Sequence, residues 1–456
     1  MIRRAILPVA GLALLVAGGA LYAGNGELYM RVMRHLMAVP YWTPFIDLES
    51  VLTTTRCWQM GVDVYASNPC DQMNRPMNYS PLWLRFSVLA IDRGWSLPMG
   101  VVLSVLYAIS LAWLPPRRDV ATLLICAACA FSSVSLLGIE RGNMDVLIYL
   151  ICLLAAQGLT QAAPIRLAAY GGLLLGGLLK FYPLVTCLAV LREKPRRAVA
   201  IGTAIACVVA LFAVVFADEL PRALHNIPDA EYFEIMVGAS LLPRFLSVTA
   251  TPVVHFLAPG IGTAFLSQAG FKAAVLAALL LLSGLNIAAL CGTATLRRTL
   301  AGLRGEMRAR LFLGCALIGG CFFSGPSYAY RGIFLLLCLP GLLSLQQALP
   351  PGSMRRVVRL LLAAIVIVMQ MLLLTGLWMS LHARIDNHAP AGLIWIGMQV
   401  LWWWIASSLL AVLGVLCLQE AALQNALQGR LAGLASWGLG TAPLGATAAT
   451  PHKVPA

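Results

Sequence analysis

Asp47 and Glu49 stand two residues apart in Tyr41-Trp42-Thr43-Pro44-Phe45-Ile46-Asp47-Leu48-Glu49, just ahead of a helix-like run over 52–60. Paired carboxylates of this kind can supply a general base or hold a divalent cation. The spacing also suits a plainer role, with Asp47 capping the helix and Glu49 in its first turn. The two roles are compatible, because a base works best from a rigid helix start. Five further stretches offer partners. Gly61-Val62-Asp63-Val64-Tyr65 and Arg75-Pro76-Met77-Asn78-Tyr79-Ser80-Pro81-Leu82-Trp83 set polar groups beside aromatic rings. That suits a sugar face, but it suits loop punctuation with a rigid proline entry to the next apolar run better. Glu140-Arg141-Gly142-Asn143-Met144-Asp145 compresses charge between apolar runs, as a structural Glu–Arg pair or as a substrate-facing cluster. Lys180-Phe181-Tyr182-Pro183 interrupts the apolar stretch 167–191 and predicts a broken helix that turns back. A lysine there can hold a phosphate as a point charge, or snorkel to the interface. Ser327-Tyr328-Ala329-Tyr330-Arg331-Gly332 has a similar make-up. Arg244, His225, His255, His382 and His388 are further polar candidates, and none is assigned a catalytic role.

These groups need a scaffold, and the composition says which kind. Of 456 residues, 60% are hydrophobic and 11% charged. Soluble domains are ~45–50% apolar and ~25% charged, so disorder and a water-soluble enzyme are excluded. Apolar runs end near residue 23 and recur near 97–114, 120–138, 144–159, 167–180, 182–192, 198–217, 271–291, 311–323, 333–348, 359–379 and 393–418. The expectation is an all-α polytopic membrane protein of about twelve transmembrane helices with both termini inside, the first run kept as a signal anchor rather than cleaved. Long continuous runs exclude a β-barrel.

The charge of +14 supports that topology. Nineteen of the 32 basic residues fall in the expected inside segments, among them Arg117, Arg118, Arg166, Arg192, Arg308 and Arg310, with only four of the 18 acids. That is the positive-inside pattern. No basic stripe with interleaved aromatics suggests nucleic acid. The unusual sequence lies outside, in external segments 24–96 and 218–270, within a single domain 1–418 followed by a loose cytoplasmic tail 419–456. Ten of twelve cysteines lie in or beside apolar runs; Cys57 and Cys70 alone lie in the first external segment, where an oxidising compartment would permit a disulfide. No His-rich cluster or GxxxxGK loop offers a zinc or nucleotide site.

In order along the chain stand Asp-Leu-Glu, Gly-Val-Asp-Val-Tyr, Asn-Tyr-Ser-Pro, Arg-Gly-Asn-Met-Asp and Leu-Lys-Phe-Tyr-Pro. This series resembles family 87 of the GT-C glycosyltransferases, which includes polyprenyl-phosphate-mannose-dependent α-1,2-mannosyltransferases. The likeness covers roughly residues 30–190 by motif and the rest by hydropathy. The resemblance implies a GT-C-type fold with its site at the outer face of the bacterial inner membrane. It also implies a polyprenyl-phosphate sugar donor and an inverting single displacement. The family's essential Asp falls on Asp47, and Arg141, Asn143 and Lys180 match polar motif positions.

The residues fit that chemistry. Asp47 would take the acceptor's proton, and Lys180, Arg141 and Arg331 would steady the departing phosphate. Glu49, Asp63, Tyr65, Tyr79, Asn143 and Tyr182 are the expected substrate contacts, with Trp83 a further sugar-facing ring. The implied partners are the lipid-linked donor, a lipid or glycan acceptor and membrane lipids, with no cofactor and the need for a divalent metal left open. A lipid or small-molecule transporter or flippase is the main alternative, and an arabinofuranosyltransferase of the same architecture another.

Overall fold

A computed structural model describes residues 2–37, 43–86, 92–115, 119–227, 235–244, 246, 269–382 and 389–420. The tail beyond 420, Arg117, Arg118, His255, His388 and most of the expected second external segment lie outside the described residues. The chain is an all-α polytopic membrane protein. Among the described residues, seven helices are long and apolar enough to cross a membrane: Arg4–Gly24, Arg93–Trp113, Pro195–Val215, Ala269–Gly292, Gly305–Ser324, Ala329–Ala348 and Ile394–Leu418. Two bent pairs, Val120–Ala130 with Ser133–Glu140 and Ser353–Met369 with Met371–Leu377, bring the number to nine.

The twelve expected runs are all helical, but three fall short of a standard span. Met144–Gly158 has 15 residues and Ala163–Lys180 has 18 with charges at both ends. Tyr182–Arg192 is an 11-residue 3-10 helix. At ~1.5 Å per α residue and ~2.0 Å per 3-10 residue, these arms reach about 22, 27 and 22 Å. The expected break at Lys180-Phe181-Tyr182-Pro183 is real, but its first arm is a full helix. Its second arm gains length by stretching to 3-10 geometry. The two arms lie antiparallel: Tyr170 Oη donates to the Ala189 carbonyl at 3.3 Å, and Arg166 pairs with Glu193.

Gly305–Ser324, Leu335–Ala348 and Ala389–Leu418 form the centre, where Phe312, Phe322, Phe334 and Trp402 are fully buried. Close approach is built in: a Cβ on Gly314 would lie 2.5 Å from Cys338 Sγ. Pro195–Val215 and Ala269–Gly292 present almost wholly exposed apolar surfaces, which belong against lipid. The two kinked helices meet at their bends. Ser133 N–H donates to Gln370 Oε1 at 3.3 Å and Gln370 Nε2 donates to the Ala128 carbonyl at 2.7 Å. Those bonds satisfy the backbone groups that a kink frees and aim Ser133–Glu140 at the polar end. The opposite end gathers arginines: Arg192 and Arg308 pair with Glu420 at 3.7 and 3.2 Å, and Arg310 donates to the Trp113 carbonyl.

Candidate active site

The polar end is organised by helix Ile46–Gln59, whose first turn docks on the last turn of Ser133–Glu140. Phe45 N–H donates to the Glu140 carbonyl at 2.6 Å, and Asp47 N–H to the Arg141 carbonyl at 3.0 Å. One helix's orphan donors thus meet another's orphan acceptors, with the dipoles in favourable register. This docking answers the capping question: the N-cap is Phe45, with no side-chain cap bond, so Asp47 is released for other work.

The Asp47 carboxylate sits among cations and is 4% exposed. Oδ1 pairs with Arg75 at 3.1 Å, and Oδ2 accepts from Asn143 Nδ2 at 2.7 Å. Asn143 bridges onward, since its Oδ1 accepts from Lys180 Nζ at 2.8 Å and from the Asp145 N–H at 3.0 Å. Lys180 Nζ also pairs with Asp145 Oδ1 at 2.6 Å, the oxygen to which Tyr182 donates at 2.5 Å. Arg331 completes the chain, 3.6 Å from Asp145 Oδ2 and 4.4 Å above the Tyr182 ring. Lys180 lies 5.4 Å from the Tyr79 ring centre and 5.7 Å from that of Tyr330. Asp47, Tyr79, Arg141, Asn143, Lys180, Tyr182 and Arg331 are therefore brought together.

Backbone strain is concentrated at these residues. The three non-glycine residues with positive φ among the described residues are Phe45, Asn74 and Phe181, which adjoin the stretch bearing Asp47, Arg75 and Lys180. Gly142, between Arg141 and Asn143, has φ +59°, and a Cβ there would lie 3.0 Å from Leu48 Cβ. Non-glycine residues in this region cost roughly 1–3 kcal/mol each, and they cluster at functional sites.

Burial alone would raise the Asp47 carboxyl, but the charges of Arg141 and Arg75 and the hydrogen bonds from Asn143 and Arg75 outweigh it. The group is held below the usual carboxylate range. Burial, reinforced by the Asp47 charge, keeps the Tyr79 phenol well above its ordinary value and so neutral. Arg75 is shared with Asp71, whose Oδ1 lies 3.0 Å from it. The cations Arg75, Arg141, Lys180 and Arg331 stand against the carboxylates Asp47, Asp71 and Asp145, and Glu140 lies close enough to Arg141 and Asp47 to interact with both. A cavity of about 70 Å³ opens beside Lys180 and Arg331, lined also by Asn78, Tyr79, Tyr328 and Tyr330. One wall is fixed by a short antiparallel pairing of Met236–Val237 with Ser327–Tyr328. Several waters fit such a volume, so the head of a small anion does too.

No known protein family, curated protein or solved structure matches the chain.

The other expected contacts lie apart. Glu49 accepts from Gln72 at 2.6 Å and pairs with Arg93 at 2.9 Å, two residues and about 200° around the helix from Asp47. Asp63 holds Arg222 at 2.6 Å, and Tyr65 donates to Glu219 at 3.0 Å. Trp83 Nε1 donates to the Leu179 carbonyl at 3.1 Å, anchoring the helix end that carries Lys180. Cys57 and Cys70 form a disulfide. No group of three or more His, Cys, Asp or Glu among the described residues is placed to hold a metal ion. Asp145, Arg75 and Tyr330 join the site without having been singled out; the signal for Asp145 was its place in a six-residue polar run between apolar segments.

Proposed function

We propose that the protein is a GT-C-type membrane glycosyltransferase that moves a hexose, mannose by the family resemblance, from a polyprenyl-phosphate donor to a lipid or glycan acceptor. The observation that carries this reading is the continuous path Asp47–Asn143–Lys180, which joins a buried carboxylate to the cation-lined cavity of Lys180 and Arg331. A polyprenyl phosphate is its own leaving group, so the site needs a proton acceptor on one side and cations on the other. The acceptor oxygen attacks the anomeric carbon and its proton passes to Asp47. The carbon–oxygen bond to the donor phosphate breaks, and its electron pair leaves on the phosphate beside Lys180 and Arg331. A depressed Asp47 does not oppose this role. The hydroxyl becomes acidic as the new bond forms, so an always-ionised, weak base suffices late in the displacement. A single displacement inverts the anomeric centre.

The same reading takes the three short arms over 144–192 as crossing the bilayer, which gives twelve spans. It puts the Arg192–Glu420–Arg308 end in the cytoplasm of a bacterial cell and the site at the outer face of the inner membrane. The Cys57–Cys70 disulfide beside the site suits an oxidising compartment. Transporters gather polar groups at the bilayer midplane, whereas here they lie at helix ends.

The test is membranes incubated with radiolabelled polyprenyl-phosphate sugars. Wild type transfers label, and Asp47→Asn lowers transfer by roughly 10²–10⁴-fold without changing insertion. Transfer by Asp47→Asn at the wild-type rate, or none by wild type from any polyprenyl-phosphate sugar, overturns the proposal.

A further inference from the structure

The second feature at this end of the molecule is a groove of about 380 Å³ between Arg4–Gly24, Ser96–Ser110 and Ser133–Glu140. Its walls are almost wholly apolar. Gly18 and Gly19 hold one side open, with nothing within 4 Å of where their Cβ atoms would stand. Its polar lining is Tyr22, Tyr29, Ser104 and Tyr107 and, at the inner end, the carboxyl of Glu140, which interacts electrostatically with Tyr29. Glu140 is 6% exposed, and among the described residues neither carboxyl oxygen has a hydrogen-bond partner. A buried carboxyl without a hydrogen bond costs roughly 1–3 kcal/mol or more, which a hydroxyl arriving with a ligand would relieve.

Glu140 is placed for such a ligand to matter. Its carbonyl accepts the Phe45 N–H at 2.6 Å, and Pro44 and Phe45 line the same groove. Asp47 is two residues further on. The groove therefore ends against the stretch that carries the proposed base, and it shares no lining residue with the cavity of Lys180 and Arg331. The two hollows differ in lining: cations line the cavity and suit a phosphate, whereas among the described residues no lysine or arginine lines the groove. Helix Arg4–Gly24, which forms one wall, is largely exposed along its apolar length, as a helix against lipid is, so the occupant comes from the bilayer.

We propose that this groove seats the hydrocarbon chain of a lipid whose head donates a hydrogen bond from a hydroxyl to Glu140, and that this lipid is the acceptor. The second half rests on the glycosyltransferase reading above. It narrows the acceptor to a lipid-borne hydroxyl and gives Glu140 a positioning role: it holds the nucleophilic oxygen near Asp47, which takes the proton.

The experiment is photolabelling of the full chain in phosphatidylcholine nanodiscs. The probe is a long-chain primary alcohol carrying a diazirine in its chain, and the labelled peptides are read by mass spectrometry. Expected are adducts on Ile2–Gly24 and Ser96–Ser110 that excess unlabelled alcohol removes. Glu140→Ala lowers them about tenfold, the worth of one buried hydrogen bond. Gly18→Leu with Gly19→Leu fills the groove and removes them, while as helix-favouring changes they spare the fold. The matching long-chain phosphate monoester labels the groove of wild type less than the alcohol does. The proposal is overturned by adducts elsewhere, by equal labelling of Glu140→Ala and wild type, or by preference for the phosphate. Labelling needs no sugar transfer, so the two readings part cleanly. A labelled groove without transfer from any donor strikes the acceptor role and the glycosyltransferase reading while leaving a lipid site. Transfer without groove labelling strikes this inference alone.

Discussion

Two clusters built on carboxylates of the stretch 24–96, Asp63 and Asp47, have the same ingredients, a carboxylate, an arginine and a tyrosine, yet only one reads as a site. Asp63 pairs with Arg222, which lies 5.1 Å from the Tyr65 ring centre. Their side chains are 51% and 45% exposed. Asp47 and Asp145 are 5% and 1% exposed at the side chain, and their partners Arg75, Asn143, Lys180 with Tyr182, and Arg331 come from four separate parts of the chain. Both Asp63 and Asp47 are held below the usual carboxylate range, by opposite routes. Asp63 is lowered first by the Arg222 hydrogen bond, in water, at an exposed position. Asp47 is lowered although burial pushes it the other way. An exposed pair is screened and contributes little. A buried network is stabilised only while each member keeps its partners, so a substrate that trades places with one of them changes the rest. Strain follows the same divide, with positive φ at Phe45, Asn74 and Phe181 around the Asp47 network. The Asp63 cluster is a staple: it ties helix Glu219–His225 to the stretch that follows helix Ile46–Gln59, with Asn226 Nδ2 donating to the Tyr65 carbonyl at 2.9 Å.

The largest break in this contrast is Asn143→Ala. It removes the side chain that hydrogen-bonds both Asp47 and Lys180 and leaves each short of a buried partner. Sugar transfer should fall by about 10²-fold or more, since displacement of a reacting group by about 1 Å has that effect. The melting temperature should also drop. Transfer within twofold of wild type would mean that the bridge does not position the base.

Much of the scaffold was legible in the sequence. The apolar runs all became helices, because burial or lipid contact dictates helix wherever ~20 apolar residues run together. The exceptions lie in 144–192, where charges at Arg166 and Lys180 shorten the arms and the 3-10 stretch restores length. The site was legible as residue types in order along the chain, but its pairings were not. Asn143 meets Asp47 across 96 residues and Lys180 across 37, and nothing in a single chain fixes such partners. The run from Glu140 to Asp145 shows the limit well. Its composition suited a Glu–Arg pair and a substrate-facing cluster alike. Gly142 turns the backbone, so Asp145 reaches Lys180 while Glu140 points into an apolar groove. That turn depends on a glycine at φ +59° meeting Phe45, a contact visible only in three dimensions.

Lys180→Ala is the next test in size. Removing a charge-assisted contact to an anion costs roughly 1.5–3 kcal/mol, tenfold to about a hundredfold in kcat/KM. The effect should appear as a raised KM for the polyprenyl-phosphate donor, because the cation serves the phosphate rather than the proton. A changed acceptor dependence with an unchanged donor KM would move Lys180 to the other side of the reaction.

The smallest expected effect is the most pointed. Asp63→Asn removes the Arg222 charge pair, while the Tyr65–Glu219 and Asn226–Tyr65 bonds still hold the two segments together. If the exposed cluster is a staple and nothing more, transfer should stay within about twofold of wild type, as for surface pairs generally. The measurement is kcat and KM for donor and acceptor in the same membranes used for Asp47→Asn. A fall of tenfold or more in Asp63→Asn would put sugar contacts in the exposed cluster, as the spacing of Gly61 to Tyr65 first suggested. The site would then extend across the face between the two clusters. The contrast drawn from burial would fail there, because a ligand would supply the shielding from water that the Asp63 pair lacks on its own.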